Sequence, residues 1–191
     1  MANEDIGELV FSSQQISQGV SAVAKQLNQK YLGESLVVIS VVPGGMLFAA
    51  DLVRQLDLDL AMDYISCPHT PGSRNNDSNI EYQQNINIEN QHVIVIDDAI
   101  ESGGTMQRLI AHLSKHYAPK SLAVACLLVK PSRVTIAAEQ HYAFEMDNDD
   151  LLVGYGLPWN NLYRNLPYIS KLNTLDKQGL AISGDNQHGR N

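Results

Sequence analysis

Between Ser12 and Tyr31 the apolar residues Ile16, Val20, Val23, Leu27 and Tyr31 fall on one stripe of a helix. Ser12 or Ser13 is placed to cap its start and Gly33 to end it. The pattern then changes: Leu36 to Val42 is an unbroken apolar run, short and rich in β-branched residues, which predicts a strand buried on both faces. Pro43-Gly44-Gly45 breaks it. Met46 to Leu56 predicts a second helix and Leu60 to Ser66 a second strand. From Cys67 to about Asn90 the periodicity disappears among Pro68, Pro71, Gly72 and many Asn, Ser and Gln residues, which predicts a mobile loop with room for a hairpin. His92 to Ile96 predicts a strand that ends in Asp97-Asp98, followed by a small-residue loop from Ala99 to Gly104. Thr105 to Tyr117 is then helical, with Met106, Leu109, Ile110, Leu113 and Tyr117 on one face. Ser121 to Val129 is a further buried strand, and Tyr142 to Phe144 and Leu151 to Val153 predict two shorter ones.

Strands that alternate with helices imply an α/β fold, with a mostly parallel twisted sheet flanked by helices. Ligands of such sheets sit beyond the carboxyl ends of the strands. Pro43-Gly44-Gly45, the loop after Asp98, and Lys130 all fall at that edge. A chain of 191 residues suits one such domain, expected over residues 1–172, and the polar segment 173–191 reads as a loosely ordered tail. The net charge of −8 opposes general binding to nucleic acid, so the expected partner is a small polyanion. Met1 to Glu8 is acidic and no segment is long and apolar enough to span a bilayer, so no membrane partner and a cytoplasmic location are expected. Cys67 and Cys126 stand apart from each other and from any His cluster, which fits a reducing compartment and gives no zinc pattern.

The segment Val93 to Thr105 concentrates the chemistry: a strand delivers two acids into a small-residue loop that opens a helix. Backbone N–H groups from Glu101 to Thr105, with the hydroxyls of Ser102 and Thr105, can surround a phosphate at the helix N-terminus, and Gly103 and Gly104 permit close approach. Asp97 and Asp98 would repel that phosphate unless they addressed ribose hydroxyls or a divalent cation, so a sugar phosphate satisfies both demands. The plainer reading is a capped strand-to-helix turn with solvated acids. Lys130 and Arg164 could likewise be surface side chains. Asp147, Asp149 and Asp150 read as a solvated acidic turn rather than a metal cluster.

The whole pattern resembles the phosphoribosyl-pyrophosphate motif of type I phosphoribosyltransferases, and the likeness runs from about Leu9 to Leu172. Leu9-Val10-Phe11-Ser12, Pro43-Gly44-Gly45, Phe48-Ala49-Ala50-Asp51-Leu52, Leu127-Leu128-Val129-Lys130, Val153-Gly154-Tyr155-Gly156 and Tyr163 to Ile169 resemble the hypoxanthine-guanine branch, in order. The resemblance implies a small hood, a mobile active-site loop over Pro68 to Asn79, and a homo-oligomer, either dimer or tetramer. It also implies transfer of a phosphoribosyl group to hypoxanthine or guanine in purine salvage, with Mg2+ as cofactor and a purine nucleotide as product. Asp97 and Asp98 would face the ribose hydroxyls and meet the metal indirectly, through ribose or water. Glu101, Ser102, Gly103, Gly104 and Thr105 would hold the 5-phosphate, while Gly44, Gly45 and Arg164 would meet pyrophosphate. Lys130 would bind the purine oxygen beside Leu151 and Leu152, and Glu101 would handle the proton of the base. The Val42–Pro43 peptide would be cis.

The sequence departs from the family pattern at several of these places. Glu101 replaces Asp, Ser102 replaces Thr, Pro43 replaces Lys, Leu151 stands where an aromatic ring stacks on the base, and Pro158 stands where an Asp helps bind magnesium-pyrophosphate. Cys67-Pro68-His69-Thr70 replaces the Ser-Tyr pair of the closing loop. A noncatalytic member that senses phosphoribosyl pyrophosphate or a nucleotide therefore stays open. A dinucleotide-binding oxidoreductase fits poorly, since the three-glycine fingerprint after the first strand is absent.

Overall fold

The computed structural model describes residues 5–67, 82–146 and 150–173. The chain opens with strand β1 (Ile6–Phe11) and helix α1 (Ser13–Lys30), followed by β2 (Leu36–Val42), α2 (Met46–Val53) and β3 (Leu60–Ser66). Then come β4 (His92–Ile100), α3 (Gly104–Tyr117), β5 (Ser121–Val129), β6 (Glu139–Glu145), β7 (Leu152–Val153) and β8 (Ile169–Leu172). Helix α1 starts where its cap dictates: the Ser12 side chain accepts from the Gln15 amide and the Gln15 side chain accepts from the Ser12 amide, a reciprocal capping box. Its stripe of Ile16, Val20, Val23 and Leu27 is buried.

Five strands form a parallel sheet in the order β3-β2-β4-β5-β6. On one face Leu36, Val38, Ile94 and Ile96 pack with the stripe of α1 and with Phe48, Ala49 and Leu52 of α2. On the other, Val37, Ile39, Val93 and Val95 pack with Met106, Leu109, Ile110 and Leu113 of α3. The central strands are therefore covered twice, which is why they read as unbroken apolar runs. Cys67 and Cys126 are buried within the second of these layers. From β2 the chain turns outward to β3, and from β4 it turns the opposite way to β5. That reversal opens a crevice at the carboxyl ends of β2 and β4.

Several boundaries differ from the sequence expectation. Strand β4 does not end at the acids but runs on past Asp98 to Ile100, because Asp97, Ala99 and Ile100 stay paired with Cys126, Leu128 and Val129 of β5. The loop that follows is correspondingly shorter, and α3 begins at Gly104. Helix α2 stops at Val53, three residues before Leu56, where tighter Gln55-to-Leu52 and Leu56-to-Val53 amide bonds unwind it. A second sheet, β1-β8-β7, is antiparallel and joins the two ends of the described chain. Asn173 extends this contact by donating its amide to Asp5 O at 2.9 Å. The expected tail beyond it, and the expected closing loop and hairpin over 68–81, lie outside the described residues, while 82–91 form no strand. No helix among the described residues is long and apolar enough to cross a membrane.

Candidate active site

The β2 side of the crevice is the Pro43-Gly44-Gly45 turn, whose Val42–Pro43 peptide is cis, as the resemblance implies. Both glycines are required by what they touch. A β-carbon on Gly45 would stand 2.6 Å from the Ile96 carbonyl oxygen and 2.9 Å from the Asp97 Cα. One on Gly44 would stand 2.9 Å from Asp98 Oδ2. The turn and the acidic pair are thus in direct contact.

A third glycine closes the group. Gly156, two residues beyond Gly154 in the chain that leaves β7, has a left-handed φ of 102°, and a β-carbon there would lie 2.5 Å from the Gly44 carbonyl oxygen and 3.2 Å from Asp98 Oδ2. Its amide donates to the Arg164 carbonyl at 3.0 Å, and its carbonyl accepts from Arg164 Nη1 at 2.5 Å. Gly44, Gly45, Asp97, Asp98 and Arg164 are therefore gathered at one spot.

Asp97 Oδ1 accepts the Asp98 amide at 2.9 Å, and Asp98 Oδ1 accepts the Ala99 amide at 2.8 Å. Burial, and next the neighbouring Asp98 charge, holds the Asp97 carboxyl well above the ordinary carboxylate range. Burial also raises Asp98, against the opposing pull of its hydrogen bonds and of the Arg164 charge. Two adjacent carboxylates whose ionisation is opposed in this way fit a cationic partner. Among the described residues no three His, Cys, Asp or Glu side chains converge, so a divalent cation here would share oxygens with a ligand.

Beyond Ile100 the chain makes the short loop that opens α3. Glu101 and Ser102 are exposed, and Gly103 takes a left-handed φ of 81°. Gly103 at the cap position offers no side-chain hydrogen bond and no acid occupies the first turn, so no carboxylate of that turn offsets the positive end of the helix. The Ser102 carbonyl accepts the Val134 amide at 2.8 Å, which braces the loop from behind, and Gly104 N lies 3.4 Å from Ser102 Oγ. Thr105 stands in the first turn. At the end of the next strand Lys130 donates its amide to Ile100 O at 2.9 Å, and its Nζ lies 3.9 Å from Glu101 Oε2. Arg133 fixes that strand end by donating Nη1 to the Lys130 carbonyl at 2.7 Å.

Leu151 and Leu152 sit in the second sheet: Leu152 pairs with Lys171, and the Leu151 carbonyl accepts the Leu172 amide at 2.8 Å. Asp150 pairs with Lys171 Nζ at 3.1 Å, while Asp147 and Asp149 lie outside the described residues. Sequence reasoning assigned no role to Gly156, Tyr155 or Asp51. The Gly-Tyr-Gly run was a signal for a turn with positive φ at Gly156, but its contact with Gly44 bridges more than a hundred positions and leaves no local trace.

The sequence pattern of the phosphoribosyl transferase domain family matches residues 8–157. The chain belongs to this family. It is 30% identical over 172 residues to a hypoxanthine-guanine phosphoribosyltransferase of Staphylococcus aureus, a match that covers 89% of this chain and 96% of that protein. Among solved structures it is similar to a hypoxanthine-guanine phosphoribosyltransferase from Bacillus anthracis, with 35% identity and a TM-score of 0.78 over 88% of this chain and 99% of that one. A Trypanosoma cruzi hypoxanthine phosphoribosyl transferase superposes with a TM-score of 0.81 at 25% identity, over 95% of this chain and 99% of the other. This phosphoribosyltransferase is thus a type I member of the hypoxanthine-guanine branch.

Proposed function

We propose that the enzyme transfers the phosphoribosyl group of phosphoribosyl pyrophosphate to a 6-oxopurine, hypoxanthine or guanine, and releases pyrophosphate. The observation that carries this reading is the convergence, at the carboxyl ends of three neighbouring strands, of the glycine turn, the acidic pair, the acid-free first turn of α3 and Lys130. In it, the loop from Glu101 to Thr105 holds the 5-phosphate, with Ser102, Gly103 and Gly104 supplying close approach. Asp97 and Asp98 hold the ribose hydroxyls. Gly44, Gly45 and Arg164 receive pyrophosphate. Lys130 donates to the purine oxygen, and Leu151 and Leu152 flank the base from the hood.

A purine ring nitrogen then attacks the anomeric carbon as the bond to pyrophosphate breaks, with no protein nucleophile. Positive charge that develops on the sugar is stabilised by Asp97 and Asp98, whose own ionisation it favours. Glu101, near Lys130 but mostly exposed, accepts the proton that the base releases. Asp97 and Asp98 would hold Mg2+ indirectly, through ribose or water, and the ion would supply neutralisation of the leaving group's charge. Leu151 in place of an aromatic ring removes a stacking contribution of about 1 kcal/mol from base binding. A cytoplasmic setting and a homo-oligomeric state belong to the same proposal, the first because a polyanionic donor does not cross a bilayer unaided.

Isotope-labelled hypoxanthine, guanine and xanthine, each incubated with phosphoribosyl pyrophosphate and Mg2+, test the reading directly. Nucleotide should form from hypoxanthine or guanine. Tight binding of phosphoribosyl pyrophosphate with no nucleotide from any base would overturn it in favour of a sensor.

A further inference from the structure

Tyr155 is buried, with only 7% of its surface exposed, and takes a left-handed φ of 49° that a tyrosine adopts only when its surroundings hold it there. Its hydroxyl donates to Asp51 Oδ2 at 2.7 Å, across 104 positions of sequence. Burial, and then that hydrogen bond and the Asp51 charge, push its ionisation far above the ordinary range, so it remains a donor throughout the working pH. Asp51 lies on α2, the helix that begins at Met46, directly after Gly44 and Gly45. The other Asp51 oxygen, Oδ1, is held by Arg54 Nη2 at 2.5 Å.

The Tyr155 amide donates to the Leu166 carbonyl at 2.9 Å, and the next residue is Gly156, which holds Arg164 by two hydrogen bonds and abuts Gly44 and Asp98. The hydroxyl therefore fastens the Arg164-bearing turn to the helix that carries the Gly44 turn. These are the two halves of the pyrophosphate subsite, brought from opposite ends of the chain. From this geometry we infer that Asp51 and Tyr155 are a positioning pair that sets the spacing between the Gly44–Gly45 turn and Arg164 for pyrophosphate. The inference rests on the function proposed above, and neither residue touches the reacting atoms.

The pair should govern pyrophosphate and leave the 5-phosphate alone, because the Glu101–Thr105 loop is braced separately through Val134. Calorimetric titration of the wild type and of Tyr155→Phe, Asp51→Ala and Asp51→Asn, first with magnesium-pyrophosphate and then with inosine 5′-monophosphate, tests this. Loss of one charge-assisted hydrogen bond predicts roughly tenfold weaker pyrophosphate binding in Tyr155→Phe and Asp51→Ala, with monophosphate binding within about twofold of wild type. Asp51→Asn, which keeps an acceptor oxygen, should recover most of the difference. The double variant Tyr155→Phe with Asp51→Ala should be no worse than either single one.

Unchanged pyrophosphate affinity in both single variants, or equal weakening of both ligands, would overturn the inference. A wild type that binds no pyrophosphate would do the same. A wild type that binds both ligands yet transfers no phosphoribosyl group would refute the enzyme reading alone, and the pairing would still be judged on the pyrophosphate data.

Discussion

At the scale of single residues, the site combines groups that oppose folding with groups that hold it in place. Asp97 and Asp98 are adjacent carboxyls at a partly buried strand end, and burial raises both above their ordinary titration range, so the folded apo protein resists their charge. A carboxyl raised on folding destabilises the native state above its ordinary titration range, so Asp97→Asn should raise the apo melting temperature at neutral pH while it weakens phosphoribosyl pyrophosphate binding. Calorimetry of the apo variant checks the first half, and an unchanged or lower melting temperature would show that the pair is not strained. Glu101→Gln preserves size and polarity but not the proton acceptor; turnover should fall about 100-fold with donor affinity nearly unchanged. A full pH-rate profile of this variant that matched wild type would remove Glu101 from the proton step. The parts of this site that could be read from the sequence were local ones. Two acids, a small-residue loop and a helix start lie within thirteen residues and carry their meaning in their order. Asp51 and Tyr155 carried none, since neither is unusual until the fold brings them together.

Among elements, helix α1 was legible nearly to the residue because its cap and its stripe are both written in its own sequence. Strand β4 was not: adjacent aspartates ordinarily end a strand, but parallel pairing with β5 supplies their backbone partners and carries the strand three residues past Asp97. Strand β3, expected over Leu60 to Ser66 and found there, buries an acid within it. Its Asp63 is 5% exposed, yet it accepts hydrogen bonds from the Asn85 amide and side chain at 3.0 and 2.8 Å, from the Tyr82 hydroxyl at 3.3 Å and from the Tyr64 and Ile86 amides. Burial pushes this carboxyl up, but those donors outweigh it and leave it below its ordinary value of 3.8. A depressed carboxyl stabilises the fold above its ordinary titration point, and that contribution disappears as pH falls from 3.8 through the lower folded value. Asp63→Asn should therefore cost about 1–3 kcal/mol at neutral pH, with the gap to wild type narrowing below about pH 4. Urea unfolding across that range reads both, and a gap that stayed constant into acid would exclude the charge as its source.

For the whole molecule, the parallel sheet could be inferred from alternating strands and helices, but its order could not, because periodicity says which face a strand buries and not which strand lies beside it. The crevice between β2 and β4 follows only from that order. If it is the binding site, saturation with magnesium and phosphoribosyl pyrophosphate at about 100 times the dissociation constant should add about 2.7 kcal/mol of stability, or roughly 5–11 °C in melting temperature. A nicotinamide dinucleotide should produce no such shift. The second sheet sets a further condition, on synthesis. Strand β1 pairs only with β8 among the described residues, so during synthesis its backbone waits for a strand encoded far downstream. The parallel core between Leu36 and Glu145 has all its partners well before then. A nascent chain stalled ahead of Ile169 would thus carry a folded core with an unpaired β1 and an unassembled hood, recognisable to a chaperone or protease until β8 arrives.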